Sequence, residues 1–219
     1  MDLIKSYKFL FILLSLDLIF IILSFFHYFS DLIFSDFLVS LEGSYAEKFQ
    51  YLKFTGISTI CFLFALKRKS LMFLIFMIIP IYLLWDDAGR LHEQFGSKIA
   101  SIFHKGNRLD VLFFNFRYQD VGEISYLILM SFALLMVFLI CYKLSNVYEK
   151  SFLKYVFKLL IIFGFFAVFV DLVHQFSWGK TYILLGIFED GGEMVIVSFI
   201  SALFFKNLKE IKKSKFIKI

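Results

Sequence analysis

The stretch Phe188-Glu189-Asp190-Gly191-Gly192-Glu193 puts three carboxylates and two glycines inside an otherwise apolar run over 181–205. At ~1.5 Å per helical residue, such a run is long enough to cross a hydrocarbon core of ~30 Å. Burying a charge at that depth is costly, so an acid placed there is a candidate for function. A second polar stretch closes an earlier apolar run: Trp85-Asp86-Asp87-Ala88-Gly89-Arg90-Leu91-His92-Glu93. The two align as aromatic, acid, Asp, small residue, Gly and a charged residue. Asp171 and His174 form a third polar group, and Asp17 sits alone at the centre of the first apolar run.

Helical geometry shows which of these converge. At ~100° per residue, Glu189 and Glu193 are i,i+4 neighbours and Asp190 lies ~100° round. Asp171, His174 and Gln175 share one face. Asp86, Arg90 and Glu93 share another, flanked by Asp87, and His92 points away unless the helix breaks at Gly89. Asp17, Ser24, Tyr28 and Asp31 form a polar stripe. Glu189 is ~12 Å and Glu193 ~18 Å in from Thr181, so the site is expected to open outward and end near the midplane. Pro80 is expected to kink its helix toward the site, and Gly191 and Gly192 to let another backbone approach closely.

Carboxylates and imidazoles at i,i+3 and i,i+4 spacing are how helical bundles hold zinc, iron or manganese. Asp171-x-x-His174 has that spacing, and so do Glu189 and Glu193. The expected metal ligands are Asp171, His174, Glu189, Glu193 and His92, with Asp86, Asp87 and Glu93 as catalytic residues: further ligands or the general base. Such an ion activates water against a lipid-borne ester, amide or phosphate, or supports redox chemistry. The alternative is a proton or cation pathway using Asp17, Asp190 and Glu193. A third reading is a non-catalytic membrane subunit whose outward loop 89–123 docks a protein partner. On that reading Asp86–Arg90 and Arg90–Glu93 are structural pairs at a helix end.

The elements that must position these residues are membrane helices. The chain is 60% hydrophobic and 21% aromatic, with 33 phenylalanines and one proline. Its mean hydropathy is +0.82. That composition excludes an ordinary soluble domain. A net charge of +5 raises the question of nucleic acid, but the basic residues cluster at the ends of apolar runs, which is a topology signal rather than a nucleic-acid surface. Cys61 and Cys141 lie inside apolar runs, without a CxxC, and read as small buried hydrophobes.

The expected fold is an all-α polytopic transmembrane bundle, one domain over 1–219, with spans at roughly 8–28, 52–67, 70–88, 124–143, 153–174 and 181–205. The first span is retained, because it carries Asp17 and lacks a small-x-small cleavage site. Lys5, Lys8, Lys67, Arg68, Lys69, Lys143, Lys150, Lys154, Lys158 and the lysines within 206–218 fall on one side, with only Asp2, Glu149 and Glu210 among the acids. That side is cytoplasmic by the positive-inside rule, with both termini inside the cell's inner membrane. The lysine-rich tail suits anionic lipid heads. Segment 29–51 is expected as a solvated cap and 175–180 as a turn with Trp178 at headgroup level. Leu91, Phe95, Ile99, Ile102 and Phe103 follow the spacing of a helix lying on the outer surface. His27 and His104 read as solvated. The two matching stretches hint at related halves of inverted topology.

At these residues the sequence resembles a broad group of bacterial six-helix membrane proteins. Their third span ends in an acid pair followed by Ile/Leu-His-Glu, and their last contains an acid pair followed by Leu-Glu-Met. The matching residues are Asp86, Asp87, Leu91, His92 and Glu93, then Glu189, Asp190, Glu193 and Met194. The resemblance implies that the acids belong to one shared site and carries no activity with it. Intramembrane CAAX-type proteases and alkaline ceramidase-like hydrolases are similar only at a distance. The chain lacks the second histidine of the former and the closing His-x-x-x-His of the latter.

Overall fold

A chain that crosses lipid must satisfy every backbone polar group within itself, and helices do so segment by segment. The computed structural model describes residues 2–30, 32–103, 110–113 and 116–214. It contains α1 (Asp2–Phe29), α2 (Tyr45–Arg68), α3 (Leu71–Phe76), α4 (Ile78–Gly89), α5 (Leu91–Phe103), α6 (Tyr118–Leu144), α7 (Val147–Gly164), α8 (Asp171–Gln175) and α9 (Gly179–Ser214). A π-helical turn, Phe165–Val170, joins α7 to α8. Asp31, His104 and the side chains of the tail beyond 207 lie outside the described residues.

Among the described residues, five segments are long and apolar enough to cross a membrane: Tyr7–Phe29, Tyr45–Arg68, Leu71–Gly89, Tyr118–Leu144 and Val147–Gln175. The helix α9 is longer still, but Glu189, Asp190 and Glu193 interrupt its apolar pattern. It packs against α1, α2, α7, the π turn and α8, at the centre of the bundle. That position keeps its acids among protein groups rather than lipid. The outer surface is correspondingly apolar: Phe11, Ile12, Ile128, Leu129 and Phe132 stand exposed on α1 and α6. A water-soluble protein does not tolerate such a surface. The chain is a nearly all-α membrane bundle.

Three helices begin earlier than apolar content alone indicates. The cause in each case is a polar first turn that caps rather than loops. Ser44 Oγ accepts from the Glu47 amide at 3.1 Å while Glu47 accepts from Gly43, so α2 starts at Tyr45 instead of near 52. Asn146 and Glu149 exchange a reciprocal pair of bonds, and α7 starts at Val147 instead of near 153. Asp120 takes the Arg117 amide at 2.7 Å, and α6 starts at Tyr118 instead of near 124. Only the Asn146–Glu149 exchange is a full capping box; Glu47 reaches Gly43 rather than the Ser44 amide, and Asp120 caps alone because a guanidinium accepts nothing.

The third span, Leu71–Gly89, is interrupted at Met77, where the backbone stays right-handed, so that α3 and α4 follow one another within one span. Pro80 has no N–H and crowds the carbonyl of Phe76, so the ladder breaks at Met77, one turn before the proline. The helix α4 then stops at Arg90, whose φ of 49° is left-handed. Arg90 pairs there with Glu42, not with Asp86 or Glu93 as the structural reading held. The two aligned stretches therefore differ locally: 85–90 closes a helix, whereas 188–193 runs through the middle of one.

The expected surface helix exists as α5, with Ile102 and Phe103 exposed, but it also leans on the first turns of α6. Gly96 and Gly122 meet there, and a Cβ on Gly122 would lie 2.1 Å from the Gly96 carbonyl oxygen. Gly122→Leu must part the two helices and is expected to cost ~1–3 kcal/mol or more. A lowered thermal midpoint in detergent would show it. Gly56→Ala, inside α2 where a Cβ meets nothing within 4 Å, is the control expected to keep or raise the midpoint, because alanine favours the helix. A short antiparallel pair, β1 (Val111–Phe113) and β2 (Phe116–Arg117), follows α5. No periodicity in loop 89–123 announced it.

Below the polar residues, Phe64, Met72, Phe76, Leu153, Val156, Val197 and Phe204 form one tight core from α2, α3, α7 and α9, with Cys61 and Cys141 buried in it. The helix α6 packs mainly on α5 and α3. It leaves a space between itself and the α7–α9 side.

Candidate functional site

That space is a cavity of about 730 Å³, and the helices that surround it supply almost every polar residue singled out above. Asp86 and Asp87 come from α4, His92 and Glu93 from α5, and Asp171 from α8. Glu189, Asp190 and Glu193 come from α9. The helices α6 and α7 supply an apolar wall, with Leu134, Phe138, Phe157 and Leu160. The cavity is thus acidic at one end and greasy at the other.

Within the acidic end, Asp171, His174 and Glu189 each offer one ligand atom, and these atoms all lie within 4.8 Å of one another. Three local features set this. The π turn adds a residue to its turn, which re-aims the helix face carrying Asp171 and His174. Its Phe166 ring occupies the place of a side chain at Gly192, where a Cβ would be 2.3 Å away. The His174 ring lies on Gly186, where a Cβ would stand 3.1 Å from it, and against the Tyr182 ring at 4.1 Å between centroids. The glycines of α9 thus admit side chains, Ile21 at Gly191 and Phe166 at Gly192, rather than another backbone.

His174 Nδ1 and Glu189 Oε2 share a hydrogen bond of 2.8 Å, and Gln175 Nε2 donates to Asp171 Oδ1 at 3.2 Å. The other ring nitrogen, His174 Nε2, is buried without a hydrogen-bond partner. Asp171 and Glu189 face the cavity while His174 backs them from behind its wall. Glu193 does not join the group of three. It lies one turn further along α9, on the cavity wall with Asp190.

His92 also stands apart from that group, held by Asp86. The break at Arg90 turns the chain back, so that the His92 amide donates to Asp86 Oδ1 at 3.1 Å and the ring Nδ1 stands 3.7 Å from Oδ2. Burial alone would lower the ring's pKa. The contact with Asp86, with Glu123 and Glu93 nearby, outweighs it and holds His92 above its ordinary 6.5. Asp87, Asp171 and Glu189 also feel its charge. Because the folded value is raised, this contact contributes fully below pH ~6.5 and fades as pH rises through the higher folded value. The thermal midpoint should fall across that window, and His92→Gln should flatten the fall.

Asp17 does not reach the cavity. It is fully buried, and Lys53 Nζ donates to it at 2.9 Å and to the Met194 carbonyl at 2.8 Å. Ser198 Oγ donates to the other carboxylate oxygen at 2.6 Å. The structure thus separates Asp17, closed in an ion pair among α1, α2 and α9, from Asp190 and Glu193. A single pathway through all three would have to break that pair.

Sequence reading passed over Lys53, Gln50, Glu123 and Arg117. The signal for Lys53 was present: a lone lysine inside an apolar span needs an acid, and Asp17 is its counterpart in the neighbouring span. Gln50 and Glu123 fell just outside spans drawn too short. Arg117 lines the cavity while holding Asp120 through paired bonds at 2.7 and 3.1 Å.

A family model described as "Domain of unknown function (DUF8692)" matches residues 38–207, and the chain belongs to that family. The match takes in every polar element of the cavity. No curated protein and no solved structure matches the chain.

Proposed function

We propose that this member of the DUF8692 family is a metal-dependent membrane enzyme that acts on a lipid or lipid-linked substrate. The observation that carries the reading is the approach of Asp171, His174 and Glu189 to within 4.8 Å at the edge of a cavity that continues between apolar walls. Two carboxylates and an imidazole suit zinc, iron or manganese, and three protein ligands leave positions free for water and substrate. The proton shared by His174 and Glu189 lies where an ion would displace it. When bound, such an ion supplies Lewis-acid activation of water or of a substrate oxygen.

The chain's own residues do the rest. Leu134, Phe138, Phe157 and Leu160 take an acyl or isoprenoid chain out of the bilayer. Asp87 and Glu93 are placed to accept a proton at the polar end, while Asp86 is engaged in holding His92. The lysine distribution supports the inner membrane of a cell, cytoplasmic termini and a site open to the outer leaflet. The motif resemblance to bacterial six-helix proteins supports one shared acidic site.

The test is reconstitution in liposomes of total bacterial lipid extract with added zinc, iron or manganese, followed by mass spectrometry of the lipids. New lipid products with the unaltered protein, absent with Asp171→Asn, are the expected result. Identical lipid profiles for the two proteins under every metal would sink the enzyme reading.

A further inference from the structure

If Asp171, His174 and Glu189 hold an ion, the cavity still contains more acid than that ion answers. Asp87, Asp190 and Glu193 line it from α4 and α9, and their charges act on one another. No cation among the described residues sits against these three in an ion pair: Arg117 is bound to Asp120, Arg90 to Glu42, Lys53 to Asp17, and His92, whose charge Asp87 feels, to Asp86. A second, independent feature points to a missing donor. Gln50 is only 7% exposed and lines the same cavity, and its Oε1 has no hydrogen-bond partner. A buried acceptor left unpaired costs about 1–3 kcal/mol, so a donor is expected to meet it.

We propose that Gln50, Asp87, Asp190 and Glu193 form a second site that takes the ammonium head of an amine-bearing lipid, whose chain fills the apolar end. This proposal rests on the enzyme reading only for calling that lipid the substrate. Two observations select an organic ammonium over a second metal ion. Among the described residues, Asp171, His174 and Glu189 form the only group of three His, Cys, Asp or Glu residues whose donor atoms all lie within 4.8 Å of one another. Asp87, Asp190 and Glu193 therefore do not close around one small ion, but the cavity that they line has room for a larger cation with several N–H donors. The apolar wall of Leu134, Phe138 and Phe157 continues from that space and has no use for a bare ion. An anionic phosphate head without a counter-cation is disfavoured by the same charges.

The experiment uses dodecylamine, dodecanol and dodecanoate as probes, titrated into the full chain in phosphatidylcholine nanodiscs and read by thermal shift. Half-saturation by dodecylamine is expected at a concentration at least about tenfold below that for dodecanol, the discrimination of one charge-assisted hydrogen bond. Dodecanoate should bind weakest. The preference should persist after chelation of metal, which separates this proposal from the metal reading. In Asp190→Asn/Glu193→Gln the amine and the alcohol should become equal, and Gln50→Leu should reduce the difference. Equal binding of the three probes to the unaltered protein, which needs no variant, would overturn the proposal. So would a second equivalent of zinc in equilibrium dialysis that vanishes in the double variant, since the acids would then belong to a metal pair.

Discussion

Detergent-purified protein is expected to carry about one divalent ion per chain, and Glu189→Gln or Asp171→Asn to remove it. Each substitution deletes one of the three donors proposed above. Loss of an outer partner of a metal ligand already costs roughly 10–100-fold in affinity, so loss of a ligand should cost more, at least about 100-fold. Elemental mass spectrometry on matched samples reads this directly. Glu123→Gln is the control, because Glu123 lines the same cavity yet lies outside the group of three and hydrogen-bonds to Gln119 at 2.7 Å. It should leave the metal in place. Gly186→Ala asks a subtler question. The new methyl would press on the His174 ring at 3.1 Å, so metal affinity should drop although no donor is removed. Metal-free protein in every preparation, including those refilled with zinc, iron and manganese, would remove the basis of the enzyme reading.

The second large effect is expected outside the cavity, at the Asp17–Lys53 pair. Lys53→Met should destabilise the bundle by roughly 3–5 kcal/mol, because it leaves the Asp17 carboxylate buried with Ser198 as its remaining hydrogen-bond partner. Asp17→Leu should cost a comparable amount by stranding the Lys53 ammonium against Met194 and Ser198. The double variant Asp17→Leu/Lys53→Met should recover most of the loss, since neither charge then needs solvation. Thermal midpoints or denaturant titrations of the four proteins supply the cycle. Additive losses in the double variant would mean that the pair is not a unit. If the pair only holds α1 and α2 onto α9, proton or cation flux in liposomes should be the same with and without it. Increased flux in the double variant would instead mark the pair as a plug.

Some of this was legible from the residues alone, for plain physical reasons. Apolar runs of membrane length leave the backbone no choice but helix, so the all-α bundle and the approximate place of its spans follow from composition. An acid inside such a run must face protein, cavity or partner, so Glu189, Asp190 and Glu193 were bound to mark the interior of the bundle. The spacing of Asp171 and His174 placed them on one face. Helix starts were less legible, although Ser44–Glu47 and Asn146–Glu149 carried capping patterns that polarity disguised as loop.

The rest was decided by contacts between segments distant in sequence. Which acid meets which base depends on how helices are laid side by side: Arg90 went to Glu42, His92 turned back to Asp86, and Asp17 found Lys53. Helical-wheel geometry within one segment cannot rank those choices. That Asp171 and His174 meet Glu189, while Glu193 stays apart, depends on the π turn and on glycines at 186 and 192 that admit a ring. Sequence determined that these acids must lie inside the bundle. Tertiary packing determined which of them come together, because donor atoms separate or converge by ångströms that only neighbouring helices set.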